Sequence, residues 1–208
     1  MMNKKEHWEK VYQNKRPDEV SWYKPHLDLS LGLILQFAGS KNAKIIDVGG
    51  GASTLAGDLL AKGQVNVTVL DLSASSLNTS KKQLGNNVDK VTWIEGDITE
   101  VKLPDHVYDL WHDRAVFHFL TSPVDRKKYV QNLDQSLSPE GTVIISTFSL
   151  KGPERCSGLN VVRHSPDTLE DELGKNYHLV ENVEESHQTP FGTTQEFIYC
   201  VFKRKGCC

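Results

Sequence analysis

The sequence predicts an α/β fold, a doubly wound, mostly parallel sheet with helices on both faces and a closing antiparallel hairpin. Three observations carry the prediction. From residue 44 onward, short aliphatic runs alternate with segments of helical period, as βα units do. The runs are rich in Ile, Val and Leu, which marks strands covered on both faces. After about residue 165 the alternation stops, and two strand-like segments follow each other across a Gly-containing turn.

Each element has its own signal. The first forty residues are helical in part and rich in aromatics: Trp8, Tyr12, Trp22 and Tyr23. "AKIIDVGG" is a buried strand meeting a tight glycine turn. "STLAGDLLAKG" is a helix closed at Gly63. "VNVTVLDLS" is the second strand, and "SASSLNTSKKQL" a helix opened by a serine cap. "KVTWIEGDI" is the third strand, "VYDLWHD" the fourth, and "RKKYVQNLDQSLSPEG" a helix closed by Pro-Glu-Gly. "GTVIISTFS" is the fifth. "SPDTLEDELGKN" is a capped helix, while "HLVENVEESH" and "QEFIYCVFKRK", joined by "QTPFGTT", form the hairpin and bring the sheet to seven strands.

Composition excludes several classes. The 208 residues carry a formal net charge of -3, so nothing electrostatic points to a nucleic-acid partner. "LEDEL" and "FKRKG" are short solvated charge runs. No apolar run approaches the roughly 18 residues of a membrane span, and "MMNKKEHWEK" has no apolar core of a signal peptide. A cytoplasmic, non-membrane protein is expected. Cys156, Cys200, Cys207 and Cys208 have no metal-ligand spacing, and the terminal pair reads as a frayed end. No metal site is expected.

In parallel sheets, ligands bind at the carboxyl ends of strands where connections diverge. Three polar signals fall at such ends. Asp47-Val48-Gly49-Gly50-Gly51 closes strand one, where glycines let the backbone approach a ligand. Asp71 ends strand two, where a carboxylate can accept both hydroxyls of a ribose. Gly96-Asp97-Ile98 ends strand three, where an acceptor and a backbone N–H can read an adenine edge. Either aspartate alone also serves as a helix N-cap. A nicotinamide dinucleotide competes for the same pattern. Against it, Thr54 stands where the third glycine belongs, and Asp47 would repel a pyrophosphate but welcome a cation. S-adenosyl-L-methionine has an adenosine, no phosphate, an amino group and a sulfonium.

The series "IIDVGGGAS…VLDLS…EGDIT…YDLWHDRAVFHFL" resembles the motifs of the class I S-adenosylmethionine-dependent methyltransferases, across roughly residues 40 to 150. The resemblance implies a Rossmann-like fold whose closing hairpin is the family's seventh-strand insertion. It implies that Asp47, Gly49 and Gly51 lie along the methionine part, that Asp71 with Leu72 binds the ribose, and that Asp97 with Ile98 binds the adenine. His112 or Asp113 would stand beside the methyl group. On this reading residues 1–208 are one domain: a cap segment (1–40), a cofactor-binding core (41–150), and a substrate-side loop with the hairpin (151–208).

"DLWHDRAVFHFLTSPVDRKKY" resembles the "D-R-G" segment of thiopurine methyltransferase and its relatives, and more weakly the "D-K-G-T" segment of seven-strand lysine methyltransferases. Ala115 replaces the family glycine. If a helix starts near Asp113, Arg114 and His118 share a face and can both reach the acceptor. Asp113, Arg114 and His118 are therefore the catalytic candidates, Asp113 leaning to the cofactor and the other two to the acceptor. A plainer reading pairs Arg114 with a carboxylate and makes His118 a packing residue. "GPERCSGLNVVRHS" is expected to be an ordered loop or lid, with Arg155 or Arg163 as candidates for an anionic substrate. His187 is placed near the pocket. Trp22, with Trp8 and Tyr23, is expected to wall the pocket or to staple the N-terminal segment to the sheet. The expected function is methyl transfer to a small-molecule acceptor, at sulfur or another heteroatom. The alternatives are a protein lysine methyltransferase and a cofactor-binding module without turnover.

Overall fold

The structure, a computed structural model, describes residues 3–205. The Cys207–Cys208 pair lies outside the described residues. Lys4–Asn14 forms α1, and Asp28–Phe37 forms α2. There follow β1 (Lys44–Val48), α3 (Leu55–Ala61), β2 (Asn66–Asp71), α4 (Ala74–Leu84), β3 (Val91–Glu95), β4 (Tyr108–Arg114), α5 (Pro123–Ser136) and β5 (Leu137–Phe148). A small ribbon, β6 (Arg155–Cys156) with β7 (Leu159–Asn160), precedes α6 (Pro166–Leu173). β8 (Tyr177–Gln188) and β9 (Thr194–Arg204) close the chain.

Seven strands form one sheet in the order β3-β2-β1-β4-β5-β9-β8. The first five pair in parallel, and β9 runs antiparallel to both neighbours. The strand order reverses between β1 and β4, which is where a doubly wound sheet opens a crevice for ligand. One face buries Ile46, Trp111, Leu133, Val143 and Leu169 beneath α5 and α6. The other buries Ile34, Ile45, Leu55, Leu77 and Val201 beneath α2, α3 and α4. Burial on both faces explains the near-continuous aliphatic strands. Ser73 opens α4 by accepting from Ser76 N–H, and a Ser165–Thr168 capping box opens α6, which stops at Gly174 (φ 79°).

Two expectations are corrected. Pro-Glu-Gly does not close a helix: α5 ends at Ser136 and β5 begins at Leu137. The β4–β5 register jumps from Tyr108↔Leu137 to Leu110↔Thr142, so residues 138–141 bulge out. Leu137 is fully buried, and a Cβ at residue 141 would lie 2.4 Å from its Cγ. Burial of Leu137 sets the bulge, and Pro139, with no N–H for the ladder, is tolerated there. Nor does a helix start near Asp113. β4 continues through Arg114, Ala115 takes φ 69°, and only a 3-10 turn (Phe117–Phe119) precedes α5.

Candidate active site

Because β4 continues to Arg114, its side chains alternate between faces at period two. His112 and Arg114 fall on the α2 side, and Asp113 on the α5 side. Asp113 is fully buried and its carboxylate is engaged throughout. It accepts from the N–H groups of Val116 (2.9 Å) and Phe117 (3.1 Å) and from the Tyr129 hydroxyl at 2.7 Å. Tyr129 in turn accepts from Trp111 Nε1–H. Burial pushes the Asp113 carboxyl up to about 6, against these donors, which hold it down. Asp113 thus knots the end of β4 to α5 and is absent from the cavity wall. Of the two residues expected beside the methyl group, strand alternation turns Asp113 towards Tyr129 and leaves His112 on the side of the smaller cavity.

On the opposite face a buried polar chain joins β1, β4, α2 and β9. His112 Nδ1–H donates to Asp47 Oδ1 at 2.7 Å, and its Nε2 lies 3.0 Å from Ser30 Oγ. Ser30 Oγ is 3.5 Å from the Tyr199 hydroxyl. That hydroxyl accepts from Arg114 Nε–H at 2.9 Å and donates to Glu185. Arg114 Nη1–H donates to the Trp22 carbonyl, and Glu185 pairs with Lys24. Asp47 and His112 are register partners on β1 and β4, so the sheet itself brings them together.

A cavity of about 270 Å³ opens over the carboxyl ends of β1, β2 and β3, and a smaller one of about 60 Å³ adjoins it. Gly49, Asp71, Leu72, Asp97, Ile98, Arg114 and His118 line the larger. Asp47, Gly49, Gly50, His112 and Arg114 line the smaller, with Trp22 and Tyr12 shared. The glycine turn has a steric cause. Gly49 takes φ 72°, and a Cβ there would lie 2.0 Å from Val116 Cγ2; one at Gly51 would lie 2.4 Å from Asp71 Oδ2. Asp71 Oδ1 accepts from Ser73 N–H at 2.8 Å. Burial pushes its carboxyl up to about 6, against hydrogen bonds from Ser73, Ser76 and Gly51. Asp97 Oδ1 accepts from both the N–H and the hydroxyl of Thr99.

α1 lies across this opening. Trp8 meets Phe119 at 5.0 Å and Trp22 at 5.7 Å between ring centroids, and all three line the cavity. Lys4–Asp125 and Lys5–Glu95, each 2.6 Å, tie the helix down at its start. Tyr23 lines the smaller cavity. The 151–165 loop forms another wall through Cys156 and Leu159. It is pinned to the sheet by Val162 N–H donating to the His118 carbonyl and His164 N–H donating to that of Phe148.

His118 lines the cavity, and its Nδ1 accepts from Phe148 N–H at 3.3 Å, leaving the hydrogen of the neutral ring on Nε2. Burial, with His164 and Arg114 nearby, pushes it down to about 3. His118 Nε2 and Arg114 Nη2 are buried without hydrogen-bond partners, and orphans of this kind cost about 1–3 kcal/mol each. Burial pushes the Cys156 thiol up to about 11, against Ser21 and Arg114. Arg155 donates to Gly158, Arg163 to Leu150, Gly152 and Glu154, and His187 to Ser21; none of the three lines either cavity. The sequence reading missed Ser30, Tyr199 and Phe119. Phe119 carried a weak signal, one helical turn of aromatics after β4, and Tyr199 none, being one apolar residue in an apolar strand.

Residues 45–141 match the family model described as "Methyltransferase domain". Just under half of the chain is thus similar to a methyltransferase domain. The chain is 22% identical over 139 residues to the eEF1A lysine and N-terminal methyltransferase of Bos taurus, covering 67% of this chain and 20% of that one. It is 30% identical over 106 residues to the ubiquinone biosynthesis O-methyltransferase of Rickettsia canadensis (strain McKiel), covering 51% and 43%. The chain thus spans about a fifth of the length of the first relative and less than half of the second. In fold it is similar to a SAM-dependent methyltransferase from Anabaena variabilis ATCC 29413, with TM-score 0.76, 16% sequence identity, and coverage of 99% of this chain and 96% of that one. The site fits S-adenosyl-L-methionine: a carboxylate at the end of β2 suits a diol, apolar Leu72 and Ile98 suit an adenine plane, and aromatic faces suit a sulfonium. Among the described residues no helix is long and apolar enough to cross a membrane, and no group of three or more His, Cys, Asp or Glu could hold a metal.

Proposed function

We propose that the protein is an S-adenosylmethionine-dependent methyltransferase that transfers a methyl group to a small-molecule acceptor at a heteroatom. The observation that carries the reading is the enclosure of the cavity. α1 and the 151–165 loop close over it, and its wall runs from Asp71 past the Trp8, Trp22 and Phe119 rings to Arg114, His118 and Cys156. Bound there, S-adenosylmethionine supplies a methyl group on a positively charged sulfur. Asp71 accepts the ribose hydroxyls, Asp97 and Ile98 hold the adenine, and Gly49 with Asp47 and His112 borders the methionine end. The aromatic rings exclude water and favour the positive charge. Arg114 and His118 face the acceptor, and Asp113 is a positioning residue that fixes the β4 terminus. In-line displacement then needs alignment above all. The similarity to the ubiquinone O-methyltransferase supports a small acceptor.

Calorimetry tests the reading. S-adenosylhomocysteine is expected to bind, and Asp71→Ala to abolish that binding. Absence of binding to the unaltered protein would end the proposal. The similarity to the eEF1A enzyme favours a second reading, transfer to a protein lysine. It predicts a labelled protein band when enzyme, lysate and methyl-labelled cofactor are mixed, whereas the first predicts label in the small-molecule fraction.

A further inference from the structure

Arg114 and His118 line the cavity, and each has a buried nitrogen without a hydrogen-bond partner. Arg114 has spent two of its three nitrogens, Nε on Tyr199 and Nη1 on the Trp22 carbonyl. Its Nη2 is buried and makes no hydrogen bond, with Glu185 a loose ion-pair partner at 3.9 Å. Glu185 is itself paired with Lys24, so the trio carries one positive charge over. His118 Nδ1 is occupied by Phe148 N–H, so the unpartnered Nε2 carries a hydrogen and acts as a donor. Among the described residues lining the cavity, the carboxylates are Asp71 and Asp97, at the β2 and β3 ends. The wall's other cation, Lys4, is paired with Asp125.

We propose that the acceptor is an anion, with negative charge on or next to the atom that receives the methyl, held by Arg114 Nη2 and His118 Nε2–H. This deepens the small-molecule reading and rests on it. Two donors that lack hydrogen bonds, one of them permanently charged, would be satisfied by a carboxylate or thiolate and left unsatisfied or repelled by an ammonium. The chemistry agrees. An anionic nucleophile forms its bond to the methyl carbon with its own lone pair. The carbon–sulfur bond breaks with its electron pair going to the sulfonium sulfur, which becomes a neutral thioether, and no proton has to be removed. His118, held far below its ordinary range by burial, is unsuited to removing one.

Three probes of one shape test this on protein saturated with S-adenosylhomocysteine: 2-naphthoate, 2-naphthamide and 2-naphthylmethylammonium. We expect 2-naphthoate to bind at least tenfold more tightly than the ammonium, with the amide between them. His118→Phe should narrow the preference and His118→Gln, which keeps an N–H donor, should retain it. Arg114→Gln should abolish it, and if that variant fails to fold, the unaltered protein and the His118 pair still decide. Equal or tighter binding of the ammonium, indifference to charge, or no binding of any probe would overturn the inference. Any of these, with cofactor binding intact, leaves the methyltransferase reading standing. Failure of S-adenosylhomocysteine itself to bind would remove that reading instead.

Discussion

Asp71 and Asp113 carry the same chemistry to opposite ends. Both are buried, and burial pushes each carboxyl up to about 6, but one lines the cavity and the other is consumed by backbone and Tyr129. On the proposed reading, ribose hydroxyls donating to Asp71 would favour its ionised form, so binding would lower its pKa and release a proton. Cofactor affinity should therefore rise with pH up to about 6, by up to about tenfold per unit, and then level off. Calorimetry of S-adenosylhomocysteine in buffers of different ionisation enthalpy checks both the slope and the proton release. Asp113→Ala strands the Tyr129 hydroxyl and the amides of Val116 and Phe117, so it should cost about 3 kcal/mol in urea denaturation. Ala115 sits just beyond, in the left-handed region at φ 69°, where the family's glycine would be unstrained.

At the scale of elements, α1 is the least secured part of the site. It has no fully buried residue, and its ion pairs Lys4–Asp125 and Lys5–Glu95 are exposed. Exposed pairs are screened by salt, so its docking rests on the Trp8 ring against Trp22 and Phe119. Trp8→Ala should weaken S-adenosylhomocysteine binding about tenfold. Raising salt to about 0.5 M should change it less than twofold, because the ring contacts carry no charge. A salt response as large as that of Trp8→Ala would show that the ion pairs hold the helix instead. The β4–β5 bulge is the second lesson at this scale. A Pro-Glu-Gly stretch looks like a helix stop, yet burial of Leu137 draws the chain into the sheet before the proline is reached.

For the whole molecule, stability and function separate along the strand axis. The middle of the sheet buries Ile45, Ile46, Leu110, Val143 and Val201 at 0% exposure or close to it, while the cavity gathers loops at the strand ends. Hydrogen exchange should be slowest in β1, β4, β5 and β9. S-adenosylhomocysteine should slow it further in α1 and in the turns after β1, β2 and β3, leaving the central strands unchanged. Protection confined to other surfaces would place the ligand elsewhere.

Local sequence determined the order of elements, because aliphatic runs, serine caps and glycine stops act over a few residues. It also placed Asp47, the glycines, Asp71, Leu72, Asp97 and Ile98 at strand termini, which a parallel sheet brings into one row, the row where we propose that the cofactor binds. The acceptor end belonged to the tertiary structure. Whether His112, Asp113, Arg114 and His118 share a face depends on where β4 stops, and that is set by pairing with β5, a partner far along the chain. Once β4 runs on to Arg114, alternation sends Asp113 to Tyr129 and Arg114 to Tyr199, and a hydrogen bond from Phe148 decides which nitrogen His118 offers. These are contacts across the sheet, made by residues that no spacing along the chain connects.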